Sequence, residues 1–128
     1  MSKKTKKYLF NKVLIIGIGL IGSSIALSLK KNGIARNIVG FSKTEKTRKI
    51  AKKKCIVDET INRISNRISE MDLIIICSPL STYEKIFNLI DPHLSKKTIV
   101  TDVGSAKSRI VKNFHSSKDR VFDFIPAP

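Results

Sequence analysis

The chain has no tryptophan, two tyrosines and two cysteines in 128 residues, and only 10 acidic residues against 25 lysines and arginines. Each shortage excludes something. Aromatic residues are 6% of the chain and do not alternate with the basic runs, so the stacking platforms that hold single-stranded nucleic acid are missing. The net charge of +15 favours anionic partners of any kind, from nucleotides to nucleic acid, but specifies no nucleic-acid site. Cys55 and Cys77 form no CxxC or CxxH pattern, so no metal site is expected. Cys55 should follow a helix and Cys77 should end a buried strand, which argues against a disulfide and fits a reducing cytoplasm. Apolar runs are four to six residues long, well short of a membrane span. Tyr8–Leu9–Phe10 is likewise too short for a signal sequence.

What is present suits one folded domain. Hydrophobic residues are 41% of the chain, enough for a single core at this length. Five of the first twelve positions are lysine, and residues 1–11 read as a basic leader. The run Lys12–Ile16 is short, apolar and β-branched, as expected of a strand buried on both faces. From Leu20 to Lys31 the apolar residues Ile21, Ile25 and Leu29 recur at helical spacing, and Asn32–Gly33 supplies a stop. Further strands are predicted at Asn37–Phe41, Ile56–Val57, Asp72–Cys77, Thr98–Asp102 and Val121–Ile125. Helices are predicted at Thr44–Lys54, Thr82–Ile90 and from Ser105 to about Phe114, while Asp58–Glu70 fits neither pattern cleanly. Strands alternating with helices imply right-handed crossovers. The predicted fold over residues 12–128 is a Rossmann-type, doubly wound α/β domain: a mostly parallel six-stranded sheet, order 3-2-1-4-5-6, with helices on both faces.

Between the first strand and the first helix stands Gly17–Ile18–Gly19–Leu20–Ile21–Gly22, a GxGxxG run in the context that makes it informative. Gly17 permits the tight turn, Gly19 lets backbone approach a pyrophosphate, and Gly22 lets the helix lie close to the sheet. Free amides at the start of that helix then meet the phosphate charge. A bare strand-to-helix connection would show glycines too. At the end of the second strand, where NAD sites usually carry an acid for the ribose hydroxyl, stand Ser42, Lys43 and Thr44, followed by Lys46 and Arg48. Hydroxyls and cations there suit a 2′-phosphate, so NADP is expected over NAD. The same lysines also read as part of a general basic surface. The far side of the cleft is expected from Cys77–Ser78–Pro79 and from Asp102, Gly104 and Ser105. Ser78–Pro79 also serves as a strand terminator, and Ser105 as a helix N-cap.

The segments VLIIGIGLIGSSIALSLK, IIICSPLSTYEKI, TIVTDVGSAKSRIV and FIPAP resemble the prephenate/arogenate dehydrogenase family of tyrosine biosynthesis, from Lys12 to Pro128. The second block, TDVGSAK, is the most specific element. The resemblance implies oxidative decarboxylation of prephenate or arogenate with a nicotinamide coenzyme. It implies that Gly17, Gly19 and Gly22 hold the pyrophosphate, that Ser78–Pro79 lines the nicotinamide side, and that Ser105 is the active-site serine. The family continues from the sixth strand into a His-Pro segment and a helical domain. Here the end reads Ile125–Pro126–Ala127–Pro128, so the chain is expected to be the coenzyme-binding portion. His93 and His115 are expected at the amino edge of the sheet, away from the coenzyme.

Three readings follow. The chain is the coenzyme domain of such an enzyme, or a non-catalytic NADP-binding remnant or half of a split enzyme, or a nucleic-acid binder motivated by charge alone. Leu20 and Leu27, opposite Ile25 and Leu29 on the first helix, predict an exposed apolar face and self-association. The β-hydroxyacid dehydrogenases share the fold and remain an alternative within the enzyme class.

Overall fold

A computed structural model describes residues 8–103 and, as backbone, residues 123–126. The positions Gly104, Ser105 and His115, most of the basic leader and the helix predicted after Gly104 lie outside the described residues.

The sheet contains β1 (Phe10–Ile16), β2 (Ala35–Phe41), β3 (Glu59–Ile61), β4 (Leu73–Ile76), β5 (Ile99–Asp102) and β6 (Asp123–Pro126), in the order β3-β2-β1-β4-β5-β6. Every pairing is parallel. The helices are α1 (Leu20–Lys31), α2 (Glu45–Lys53) and α3 (Tyr83–Ile90). The strand order is the one the alternating pattern implies. The described residues contain no helix long and apolar enough to cross a membrane.

Two cores explain why Val13–Ile16 of β1 and all of β4 are apolar at every position. Leu14, Ile16, Ile74 and Ile76 pack on one face with Tyr83, Ile86, Phe87 and Ile90 of α3. Val13, Ile15, Leu73 and Ile75 pack on the other with Ala26 of α1 and Ala51 of α2. Side chains alternate across a strand, so a strand covered on both sides has no polar position to spare.

Several boundaries differ from the sequence reading. β1 begins at Phe10, inside the stretch read as leader, because Phe10 N–H donates to Ile34 C=O at 3.0 Å. The Asp72 carboxylate then accepts from the amides of Asn11 and Lys12, at 2.8 and 3.1 Å. The third strand is Glu59–Ile61, not Ile56–Val57. Ile56 and Val57 are buried, but they serve the end of α2. There Cys55 N–H bonds Lys52 C=O and Ile56 N–H bonds Ala51 C=O, the two closures of a Schellman motif. Gly33 (φ 64°) and Ile34 close α1 in the same way. Pairing with β2 starts one residue beyond Val57, where Asp58 N–H reaches Ile38 C=O at 2.8 Å. The Asp58 carboxylate accepts from Ile38 N–H and from Lys30 Nζ, at 2.8 and 2.6 Å.

Cys55 occupies the position that Gly33 fills in α1, at φ 58°. A Cβ there costs about 1–2 kcal/mol, less glycine's extra unfolded-chain entropy of about 0.5–1 kcal/mol. Cys55→Gly is therefore expected to stabilise the fold by roughly 0.5–1 kcal/mol in urea melts. A destabilised variant would show that the left-handed turn is not strained.

Candidate functional site

The site lies at the carboxyl ends of β1, β2, β4 and β5, which are joined in series. Gly17 N–H donates to Phe41 C=O (3.0 Å), Cys77 N–H to Ile16 C=O (2.8 Å) and Val103 N–H to Ile76 C=O (3.3 Å). Each chain segment leaving a strand is thus tied to the last carbonyl of its neighbour. β1 and β4 are neighbours, but β1 leads to α1 on one face and β4 to α3 on the other. Ligand crevices form where connections diverge in this way.

The glycine turn is shaped by contact as much as by torsion. Gly17 has φ 100°, and a Cβ on it would lie 3.0 Å from Ser78 N and 3.1 Å from Cys77 C. A Cβ on Gly22 would lie 2.1 Å from Gly17 O. No side chain fits at either position. Ile18, between them, turns its side chain into the α1-side core and is 5% exposed. A Cβ on Gly19, in contrast, would meet nothing within 4 Å, so the backbone is open to a ligand there. The first intrahelical bond of α1 runs from Ser23 N–H to Gly19 C=O at 2.8 Å. The amides of Leu20, Ile21 and Gly22 precede that ladder. No side chain caps them and no acid lies in the first turn.

Leu20 and Ile21, expected at the coenzyme site, are 90% and 57% exposed at the mouth of the turn. The helical spacing of Ile21, Ile25 and Leu29 therefore overstates the buried stripe. α1 meets the sheet through Gly22 and Ala26, with Ile25 and Leu29 partly buried beside them. Leu27 is exposed, as expected from its face of the helix.

Beyond β2, Ser42 Oγ accepts from Thr44 N–H at 3.2 Å, and the Arg48 guanidinium donates to Ser42 C=O at 2.6 Å. Ser42 keeps its hydroxyl proton for a ligand, with exposed Lys43, Thr44 and Lys46 around it. Glu45, the acid that directly follows Thr44, pairs with Lys49 at 3.3 Å along α2.

Across the cleft, Ser78 Oγ lies 2.8 Å from Thr82 Oγ1, which donates to Pro79 C=O at 2.6 Å. Thr82 has one hydroxyl proton, so Ser78 donates to Thr82 and offers a ligand its lone pairs. Cys77 is half-buried and unpaired with Cys55. Burial, and secondarily the nearby Asp102 carboxylate, push its thiol up to about 12. Asp102, expected to line the cleft, has no exposed surface, and its Oδ2 accepts from Tyr83 Oη at 2.9 Å. Nothing in the spacing of TDVGSAK distinguishes a buried acid from a cleft-facing one. His93 lies in the turn Asp91–His93 before β5, at the amino edge. Among the described residues no cluster of His, Cys, Asp and Glu could hold a metal ion.

Strand order, glycine turn and divergent crossovers together define a dinucleotide-binding α/β domain. The family model for the prephenate dehydrogenase nucleotide-binding domain matches residues 25–128, and the chain belongs to that family. It is 41% identical over 102 residues to a prephenate dehydrogenase of Lactococcus lactis subsp. cremoris, covering 79% of this chain and 28% of that protein. It is 30% identical over 108 residues to a cyclohexadienyl dehydrogenase of Zymomonas mobilis, covering 84% and 37%. Among solved structures, the A. aeolicus prephenate dehydrogenase in complex with hydroxyphenyl propionate and NAD+ superposes with a TM-score of 0.79 at 29% identity. That match covers 89% of this chain and 40% of the A. aeolicus one. The Synechocystis arogenate dehydrogenase gives 0.75 at 30%, covering 84% and 38%. The chain thus spans under half the length of each of these relatives.

The Cys77 thiol yields a pH test. Its ordinary value is 9.0, so above pH 9.0 an unfolded chain loses this proton while the folded chain keeps it to about 12. Stability therefore falls as pH rises through that window. Cys77→Ala is expected to lose less stability than the parent between those limits, compared by urea melts. Parallel pH profiles for the two proteins would show that the thiol ionises normally.

Proposed function

We propose that this chain is the coenzyme-binding portion of an NAD(P)-dependent prephenate or arogenate dehydrogenase, with NADP preferred over NAD. The observation that carries the reading is the glycine turn. Uncapped amides at Leu20, Ile21 and Gly22 stand beside the open backbone of Gly19, at the point where the crossovers diverge. A pyrophosphate fits such a place by charge and by the absence of any side chain in its path. Membership of the family and the NAD+ held by the A. aeolicus relative support the same ligand class.

Roles divide along the rim. Gly17, Gly19, Leu20, Ile21 and Gly22 hold the pyrophosphate, while Ser42, Lys43 and Thr44 face the adenosine ribose, with Lys46 and Arg48 adding positive charge. Cys77, Ser78 and Pro79 line the nicotinamide side, with Asp102 behind them, and Gly104 is assigned to the same side from the sequence alone. Ser105 is the proposed active-site serine, on the strength of the TDVGSAK resemblance. The coenzyme, when bound, supplies the hydride acceptor. In the overall reaction the ring carbon bearing the hydroxyl gives up hydride, the carboxylate departs as CO2 and the ring aromatises to a phenol that keeps its hydroxyl proton. The residues described here bind and orient. The exposed Leu20, Ile21 and Leu27 suit self-association or contact with the family's helical domain. Two free thiols fit a reducing cytoplasm.

Separate calorimetric titrations with NADP+ and NAD+ test the reading. Both are expected to bind, NADP+ the tighter. Lys43→Glu is expected to erode that preference by about five- to tenfold, the size of one charge-assisted contact to phosphate. Tighter binding of NAD+ by the parent would overturn the preference. No heat with either coenzyme would overturn the function.

A further inference from the structure

Tyr83 and Asp102 are the first residue of α3 and the last residue of β5. Their side chains are 3% and 0% exposed, and the Tyr83 hydroxyl donates to Asp102 Oδ2 at 2.9 Å. The tyrosine ring is also gripped from below by Phe87, edge to face at 6.2 Å between centroids. A hydrogen bond to a carboxylate out of water is among the stronger neutral-donor contacts a fold can make. It joins two segments that leave neighbouring strands at the same end of the sheet.

What lies between them gives the contact a purpose. The turn Ser78–Thr82 connects β4 to α3. Its hydroxyls form one relay, in which Ser78 Oγ donates to Thr82 Oγ1 and Thr82 Oγ1 donates to Pro79 C=O. Thr82 is the N-cap of α3 and adjoins Tyr83. The direction in which Ser78 presents its lone pairs therefore depends on where α3 begins, and the tether to β5 sets that. At the other end, Ser78 N backs directly onto Gly17, whose missing Cβ would lie 3.0 Å away. The turn is held between the phosphate loop and the tyrosine.

We propose that Tyr83 and Asp102 are positioning residues, a buried strut that sets the Ser78–Thr82 turn against the nicotinamide half of the coenzyme. The inference rests on the coenzyme reading above and assigns neither residue a contact with the ligand. It explains why an acid at the mouth of the crevice has no exposed surface. It also separates two functions along one rim, since the glycine turn governs the adenosine and pyrophosphate portion and the strut governs the nicotinamide portion.

The test compares the tighter-binding of NAD+ and NADP+ with the matching fragment that lacks nicotinamide, ADP-ribose or 2′-phospho-ADP-ribose. The parent is expected to bind the dinucleotide more tightly than the fragment. Tyr83→Phe keeps the ring and removes the hydroxyl. It is expected to cut the dinucleotide's advantage about fivefold, the scale of one hydrogen bond, while leaving fragment affinity unchanged. Thr82→Val breaks the relay at a half-buried position and is expected to do the same, which decides the matter should Tyr83→Phe not fold. An unchanged advantage in folded Tyr83→Phe or in Thr82→Val, or an equal loss for dinucleotide and fragment in either variant, would overturn the strut. Equal parent affinities for the two ligands would overturn it as well. A parent that binds neither ligand would refute the coenzyme reading itself.

Discussion

The structure turns on the passage of one helical residue over one carbonyl. A side chain at Gly22 would stand 2.1 Å from Gly17 O, so α1 lies on its sheet only because that position has none. From this contact the rest of the rim is placed. Gly17, at φ 100°, turns the chain out of β1 and backs onto Ser78 N. Ile18 is driven into the α1-side core, and Gly19 is left facing open space. The amides of the first turn of α1 then point where an anion can reach them, with no carboxylate or cap in competition. Close packing at a backbone contact and exposure of backbone donors are two results of one geometric demand.

The rim is continuous because the sheet is. Gly17, Cys77 and Val103 each donate to the terminal carbonyl of a neighbouring strand, so the glycine turn, the Ser78 turn and the end of β5 are held in a fixed relation. Rigid support of this kind lets loops carry function on a stable scaffold. The charge of the chain adds to it from a distance. Ser42, Lys43, Thr44 and Arg48 are concentrated at the β2 corner, and Glu45, which follows Thr44, is paired with Lys49. At the edge beyond, Arg67 holds Glu59 of β3, and that contact keeps the Glu59 carboxyl below its usual range.

Much of this was legible in the sequence for a simple reason. Strands covered on both faces must be apolar at every position, so Val13–Ile16 and Leu73–Ile76 announce themselves, and the glycines between strand and helix state the turn. What was hidden depends on partners that sequence spacing does not name. Ile56 and Val57 look like a strand because they are buried, yet their burial serves the Schellman closure of α2, and the strand follows at Glu59–Ile61. Ile21 fits a helical stripe but stands at the mouth of the turn, because Gly22 and Ala26 make the closest approach to the sheet. Phe10 joins β1 through a bond to Ile34 that lies far along the chain. Asp102 sits in a motif that suggests a cleft residue, and only the tyrosine on α3 shows where its carboxylate points.

We propose that a diphosphate rests on the amides between β1 and α1. Backbone amide shifts of the ¹⁵N-labelled chain, followed by NMR during titration with NADP+, address it at the atoms concerned. The largest movements are expected at Gly19 through Gly22, with smaller ones at Ser42–Thr44 and Ser78. Shifts confined to the lysines of α2, with the glycine turn unmoved, would mean that the coenzyme meets only a charged surface and would contradict a diphosphate seat on the glycine turn.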